Sequence, residues 1–165
     1  LPGPAAGGGV TGENRIAPPL VLDAMLGRLA RWLRLMGYDA AYLVDTPDIV
    51  VVRVARAEGR LVLTRDRGLA ARRAINAVLI RSQALDEQIE QVVAEVGLPP
   101  EPVTPRCAVC NVPLVPVEPS AVRDRVPPYV ARTQNEFSVC GQCRRVYWPG
   151  SHWRHIREKL DGVEG

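Results

Sequence analysis

Lysine is almost missing from this chain: 20 of its 21 basic residues are arginines, and Lys159 is the exception. Residues 20–98 contain no lysine at all, which argues against an aspartate phospho-acceptor switch that relies on one. Aromatics are also scarce, with Phe137 the one phenylalanine, so a core must be built from Leu, Val, Ile and Ala. No uninterrupted apolar stretch approaches the roughly 20 residues of a membrane span. The opening LPGPAAGGGV has neither the basic region nor the apolar run of a secretory signal. The expected location is the cytoplasm, with no membrane partner. A start at Leu1 rather than Met is expected of a processed chain or a piece of a longer one, and residues 1–17 read as a flexible linker.

What is present is ordinary in amount and specific in kind. The net charge of +3 is too small to imply nucleic-acid binding by itself. Arginine, however, pairs with phosphate through two parallel hydrogen bonds, which suits RNA or DNA. A codon bias towards arginine would give the same count, so composition leaves the partner open.

Residues 19–96 alternate short apolar runs with helical patterns. PLVL (19–22) reads as a strand ending at Asp23. Met25, Leu26, Leu29, Leu33 and Met36 then recur at helical spacing, with Arg28, Arg31 and Arg34 on the other side and Gly37 as the stop. YDAAYLV (38–44) is a second strand, and Thr46-Pro47 predicts a helix start with threonine as the cap, running to Glu58. RLVLT (60–64) is a third strand, followed by a short helix around 68–73; INAVLI (75–80) is a fourth, followed by a helix over 84–96. This order predicts an α/β fold: a mainly parallel sheet with helices on both faces, over 18–98. The proline-rich stretch at 99–105 reads as a linker, after which the helical pattern disappears until a C-terminal helix closes a small module over 106–165.

All four cysteines lie in that module, as Cys107-x-x-Cys110 and Cys140-x-x-Cys143. Each pair can grip one metal from a tight turn, and two pairs make a four-sulfur tetrahedral site, the usual structural zinc arrangement. A closed shell leaves no position for water, so such a zinc staples rather than catalyses, and supplies folding energy to a module poor in large apolar side chains. Two disulfides, a redox pair and an iron–sulfur cluster are the competing readings.

The carboxylates gather differently. In a parallel sheet, chemistry collects at the carboxyl ends of the strands. Asp23 follows the first strand, Asp45 and Asp48 follow the second, and Asp66 follows the third. Clustered acids repel unless a divalent cation neutralises them, and Mg²⁺ or Mn²⁺ prefers all-oxygen donors. Each acid taken alone has a structural reading, as a helix cap, a first-turn residue or a turn former. Arg65 and Arg67 flank Asp66 as phosphate contacts or as surface charge, and Arg28, Arg31 and Arg34 form either a phosphate-facing stripe or the wet side of a helix. RRVYWPGSHWRH (144–155), with Arg144 and Arg145, interleaves arginines and aromatics, as suits stacking on single-stranded bases. Packing of Trp148 and Trp153 against the core is the structural alternative. His152 and His155 read as surface or helix-start residues.

LVLDAMLGRLARWLRLMGYDA (20–40), DTPDIVVVRVARAEGRLVLTRDRGL (45–69), DEQIEQVV (86–93), RCAVCNVPL (106–114), VPPYV (126–130) and FSVCGQCRRVYWPGSHW (137–153) resemble, in order, the Mut7-C family, a PIN-like nuclease fused to a zinc ribbon. The resemblance implies a PIN-like α/β fold, an RNase activity dependent on Mg²⁺ or Mn²⁺, and a structural Zn²⁺. It places the acidic site on Asp23, Asp48 and Asp66, and the zinc on Cys107, Cys110, Cys140 and Cys143. The family pattern has a further acid after the helix-opening aspartate, where this chain has Ile49. For a fourth active-site acid the candidates are Asp86 and Glu87, with Asp45 as a further metal-site candidate. RNA is the implied partner, with the ribosome or a protein regulator as others. The rival reading is a non-catalytic module of the same build that binds RNA, the ribosome or a protein.

Overall fold

The structure, a computed structural model, describes residues 15–150. The predicted C-terminal helix, Trp153, His152, His155 and most of the opening linker lie outside the described residues.

The first half is built on β1 (Leu20–Leu22), α1 (Gly27–Met36, entered through a 3-10 turn at Ala24–Leu26), β2 (Ala40–Tyr42), α2 (Asp48–Glu58), β3 (Leu61–Thr64), α3 (Arg67–Ala70), β4 (Ala77–Leu79) and α4 (Leu85–Glu95). All neighbouring strands are parallel, in the order β2-β1-β3-β4. The chain steps one way from β1 to β2, then crosses back over β1 to β3. The strand order therefore reverses between β1 and β3, where an open parallel sheet forms its crevice.

Alternation along β1 explains why helices cover both faces. Leu20 and Leu22 join a buried cluster with Leu29, Leu33 and Met36 of α1 and Ile89, Val92 and Val93 of α4. Val21 points the other way, to Val51, Val52 and Ala55 of α2 and Leu69 of α3. Each fully buried aliphatic side chain contributes about 1.5–3 kcal/mol by removal from water. α1 ends where Gly37 takes φ 105°, a left-handed conformation suited to glycine, with Tyr38 N–H closing onto the Leu33 carbonyl at 2.9 Å.

The predicted α/β order is present, with differences at the ends of elements. The strands are shorter than their apolar runs, because apolar character extends past the residues that find ladder partners. Thr46 does not cap α2: its hydroxyl donates to the Val44 carbonyl at 2.8 Å, and Pro47 occupies the cap position. The second half also departs from expectation. Beside β5 (Val115–Val117), β6 (Phe137–Val139) and β7 (Val146–Tyr147), an antiparallel sheet in the order β5-β6-β7, it holds α5 (Pro119–Val122), a 3-10 turn at Arg123–Arg125 and α6 (Pro128–Thr133). Both short helices carry proline in the first turn, where its missing N–H costs nothing. They are too short for helical periodicity to register in the sequence. Trp148 packs edge-on against Phe137, centroids 6.3 Å apart, inside this half's own apolar cluster. No helix among the described residues is long and apolar enough to cross a membrane.

Arg34 is the main correction to the charge pattern. It is buried, not on the wet side of α1. Its Nε donates to the Ala40 carbonyl and its Nη1 to the Ala108 carbonyl, both at 2.8 Å, so it ties α1 and β2 to the first cysteine turn. Burial lowers its pKa, opposed by the nearby Cys107 and Cys110. Asn111 completes the contact: its Oδ1 accepts from Ala40 N–H at 3.1 Å, and its Nδ2 donates to Asp39 at 2.8 Å. Asp39 also accepts from Arg60 at 2.8 Å.

Burial pushes the Asp39 carboxyl up, but the hydrogen bonds from Arg60 and Asn111 outweigh it and hold the group below its ordinary value. A depressed folded pKa stabilises fully above the unfolded value, about 3.9 for aspartate, and that stabilisation is lost as pH falls through the folded value. Asp39→Asn is accordingly expected to unfold at lower denaturant than wild type at neutral pH. The two midpoints should converge in strong acid; a gap that persists there would assign the loss to packing instead.

Candidate active site and metal centre

β1 and β3 pair with Leu22 opposite Leu63, which sets Asp23 beside Thr64 at the carboxyl end of the sheet. Thr64 is fully buried. Its hydroxyl donates to Asp23 Oδ2 in a short contact and accepts from the Asp66 amide at 2.9 Å. One hydroxyl thus holds both aspartates at the point where the strand order reverses.

Both acids also cap. Asp23 Oδ1 accepts from Met25 N–H at 3.3 Å, starting the 3-10 turn. Asp66 Oδ1 accepts from Gly68 and Leu69 N–H at 2.7 and 3.1 Å, starting α3. Asp66 Oδ2 makes no hydrogen bond among the described residues. A carboxylate offers about four acceptor positions, so capping leaves Asp66, which is exposed, with an oxygen to spare.

The turn carrying Asp23 has a second anchor. Tyr42, on β2, donates its hydroxyl to the Ala24 carbonyl at 2.7 Å. Gly27 makes room for it: a Cβ there would stand 2.8 Å from Tyr42 Oη. Gly27→Ala must displace that hydroxyl, and overpacking of this kind costs about 1–3 kcal/mol. It is expected to lower the unfolding midpoint, with Gly27→Ala/Tyr42→Phe recovering part of the loss; no recovery would mean the strain lies elsewhere.

The other acids are placed differently. Asp48 is exposed in the first turn of α2, and Asp45 is exposed in the loop before it with φ 52°. Asp86 and Glu87 lie in the first turn of α4, where Glu87 accepts from the Ser82 hydroxyl in a short contact. Asp23 and Asp66 are brought together through Thr64. Asp23, Asp48 and Asp66 do not form a set of three with ligand atoms within 4.8 Å of one another. Mg²⁺ is commonly held by one or two carboxylates with several waters, so the oxygen donors of Asp23 and Asp66 suit such an ion without a closed cage.

The arginines divide as well. Arg65 is half-buried, with Nη1 donating to the Ser82 carbonyl at 2.7 Å, so part of its guanidinium is spent holding the loop after β4. Arg67, Arg28 and Arg31 are exposed. Arg144 and Arg145 lie at the second cysteine turn, Arg144 with φ 72°.

Four cysteine sulfurs, by contrast, are assembled. Cys107, Cys110, Cys140 and Cys143 are the one group of three or more potential metal ligands among the described residues with ligand atoms within 4.8 Å of each other. The two turns repeat one geometry. Val109 and Cys110 N–H donate to Cys107 Sγ, and Gln142 and Cys143 N–H to Cys140 Sγ, all at 3.4 Å. Asn111 and Arg144 N–H close back onto the Cys107 and Cys140 carbonyls at 2.9 Å, each with a left-handed φ. Such a conformation costs a non-glycine residue roughly 1–2 kcal/mol. A tetrahedral zinc with Zn–S of about 2.3 Å places its sulfurs about 3.8 Å apart, and Cys107 and Cys143 are 3.7 Å apart. The set fits zinc. The surroundings favour the thiolate at two of the four positions: the amide and then the guanidinium of Arg145 hold Cys143 down to about 6. Burial pushes Cys107 up, but hydrogen bonds from Tyr147 and two amides bring it below the ordinary thiol value. Burial raises Cys110, to about 12.

Sequence reasoning passed over Thr64, Tyr42 and Gly27. Thr64 carried a signal, a hydroxyl residue ending a buried strand two positions before an acid. Tyr42 carried none, since its contact with Ala24 exists only once β1 and β2 pair.

No curated protein and no solved structure matches the chain. The family model of the Mut7-C RNAse domain matches residues 18–160, spanning the parallel sheet, the aspartates of its carboxyl edge and all four cysteines; the chain belongs to the Mut7-C RNAse domain family.

Proposed function

We propose that the α/β half hydrolyses RNA phosphodiester bonds with Mg²⁺ or Mn²⁺ held by Asp23 and Asp66, and that the four cysteines hold a structural Zn²⁺. The observation that carries this reading is the Thr64 hydroxyl joining Asp23 to the Asp66 amide at the reversal of strand order. A bound divalent ion would supply an activated water and a counter-charge to the phosphodiester. The chain's own residues do the rest. Thr64 fixes the Asp23 carboxylate, the capping bonds fix that of Asp66, and Asp48 stands on the next helix as a further acid facing solvent. Arg67, one residue on from Asp66, offers a guanidinium to a phosphate.

The rival, a binding module without catalysis, draws on the separation of Asp48 from the other two acids. Incubating the full chain with labelled single-stranded RNA in Mn²⁺, Mg²⁺ or EDTA decides between them. The expected result is cleavage with metal and none with EDTA. RNA that is bound but left intact with either metal would establish the rival.

A further inference from the structure

The two faces of the sheet carry different charge. On one, Arg28 and Arg31 of α1 stand beside α4, whose exposed charges are all acidic: Asp86, Glu87, Glu90 and Glu95. On the other, α2 and α3 share a buried cluster and, with the turn after α3, present Arg53, Arg56, Arg67, Arg72 and Arg73, all exposed and none in an ion pair or hydrogen bond through its side chain among the described residues. The acids on this side are Asp45, Asp48 and Asp66, at the carboxyl edge, and Glu58, which is paired with Arg60 at 2.6 Å.

This face is also concave. One depression is lined by Ile49, Val52, Arg53, Arg56 and Ala57. A second, of about 340 Å³, is lined by Arg56 together with Arg60, Ala74 and Asn76 at the far end of the sheet. Arg56 borders both. Arg53 and Arg56 lie about 7 and 12 Å along the helix axis from Asp48, and three residues apart they share a side of α2. Arg67 opens α3, and Arg72 and Arg73 lie in the turn after it, which leads directly into Ala74 and Asn76 at the second depression.

We infer that the phosphodiester backbone of a single nucleic-acid strand lies along this α2–α3 face, held by Arg53, Arg56, Arg67, Arg72 and Arg73, and enters the carboxylate edge from that side. The choice of RNA as occupant rests on the function proposed above. The face recognises backbone rather than base. α2, α3 and the turn up to Asn76 contain no aromatic side chain on which a base can stack, and arginine contacts to phosphate carry no sequence information. Binding is therefore salt-dependent and nearly indifferent to base identity.

The test is fluorescence anisotropy of labelled oligo-U, oligo-A and oligo-dT with the full chain in EDTA, over a range of salt. Arg53→Gln/Arg56→Gln is compared with Arg28→Gln/Arg31→Gln, each first shown to keep the wild-type unfolding midpoint. Each lost phosphate contact reduces the slope of log affinity against log salt by about 0.7. The α2 variant should thus lose about 1.4 in slope and roughly 10- to 30-fold in affinity near 0.1 M salt. The α1 variant should stay within about twofold of wild type. Oligo-U and oligo-A should bind within a few-fold of each other, and a comparable oligo-dT signal would leave the backbone reading intact while making RNA selection a matter for the catalytic edge. An equal or larger loss in the α1 variant, no loss in either, or strong preference for one base would overturn the assignment. Cleavage is scored separately in Mn²⁺. The expected binding shifts without cleavage would sink the nuclease and keep the face, whereas cleavage without those shifts would do the reverse.

Discussion

Asp66→Asn is expected to reduce metal-dependent RNA cleavage by at least the 10- to 100-fold that loss of a mere outer-shell partner costs a metal site, while leaving the fold intact. Asparagine is as good a helix cap as aspartate, so the bonds from Gly68 and Leu69 N–H to Oδ1 survive the change. What disappears is the negative charge and the second carboxylate oxygen. Asp23→Asn should behave alike, since the Thr64 hydroxyl still finds an acceptor. Thr64→Val makes the sharper comparison. It leaves both carboxylates in place but removes the hydroxyl that links the Asp23 carboxylate to the Asp66 amide, so it should raise the metal concentration giving half-maximal cleavage by about 10- to 100-fold and spare more of the rate at saturating metal. Cleavage unchanged in both aspartate variants would remove the site. Equal damage at all metal concentrations in Thr64→Val would mean the hydroxyl serves the fold of the buried strand end instead.

Removing the proposed zinc from the second half is the other large expected effect. Structural zinc contributes on the order of 10–16 kcal/mol to folding in small metal-dependent modules. The apolar clusters around Cys107 and Phe137 are small and rest on strands of two or three residues. Treatment with a strong chelator, or Cys140→Ser, is expected to unfold β5, β6 and β7 while the parallel sheet persists. Circular dichroism would register partial loss, and hydrogen exchange would place it: fast exchange across β6, continued protection in β1 and β3. A reduced protein that carries no zinc, or that keeps its unfolding midpoint in chelator, would refute a structural metal.

The alternation of strands and helices was legible in the sequence because burial on both faces of β1 demands an unbroken apolar run, and α1 shows its buried stripe at helical spacing. Both cysteine turns were legible from their spacing alone. What escaped depends on pairing that spacing does not encode. Arg34 looks like Arg28 and Arg31 on a helical projection, yet it is the one that turns inward, because Ala40, Ala108 and Val109 offer it carbonyls. The nearness of Asp23 and Asp66 follows from the register of β1 on β3, but the hydroxyl joining them becomes visible only when Thr64 is seen to be buried between them. α5 and α6 were hidden by their prolines, which read as loop punctuation when each occupies a first turn.

The position of Asn111 has a consequence for the solution behaviour of the chain. β2 lies at the rim of the sheet, and Ala40 turns both its amide and its carbonyl away from β1. Unpaired strand rims of this kind recruit other chains. Here Asn111 of the first cysteine turn takes the amide and Arg34 of α1 takes the carbonyl, so the cysteine turn supplies half of the cover over this part of the rim. A chain stripped of the proposed zinc should therefore self-associate as well as lose the ribbon, with light scattering rising at protein concentrations where the loaded form stays monodisperse.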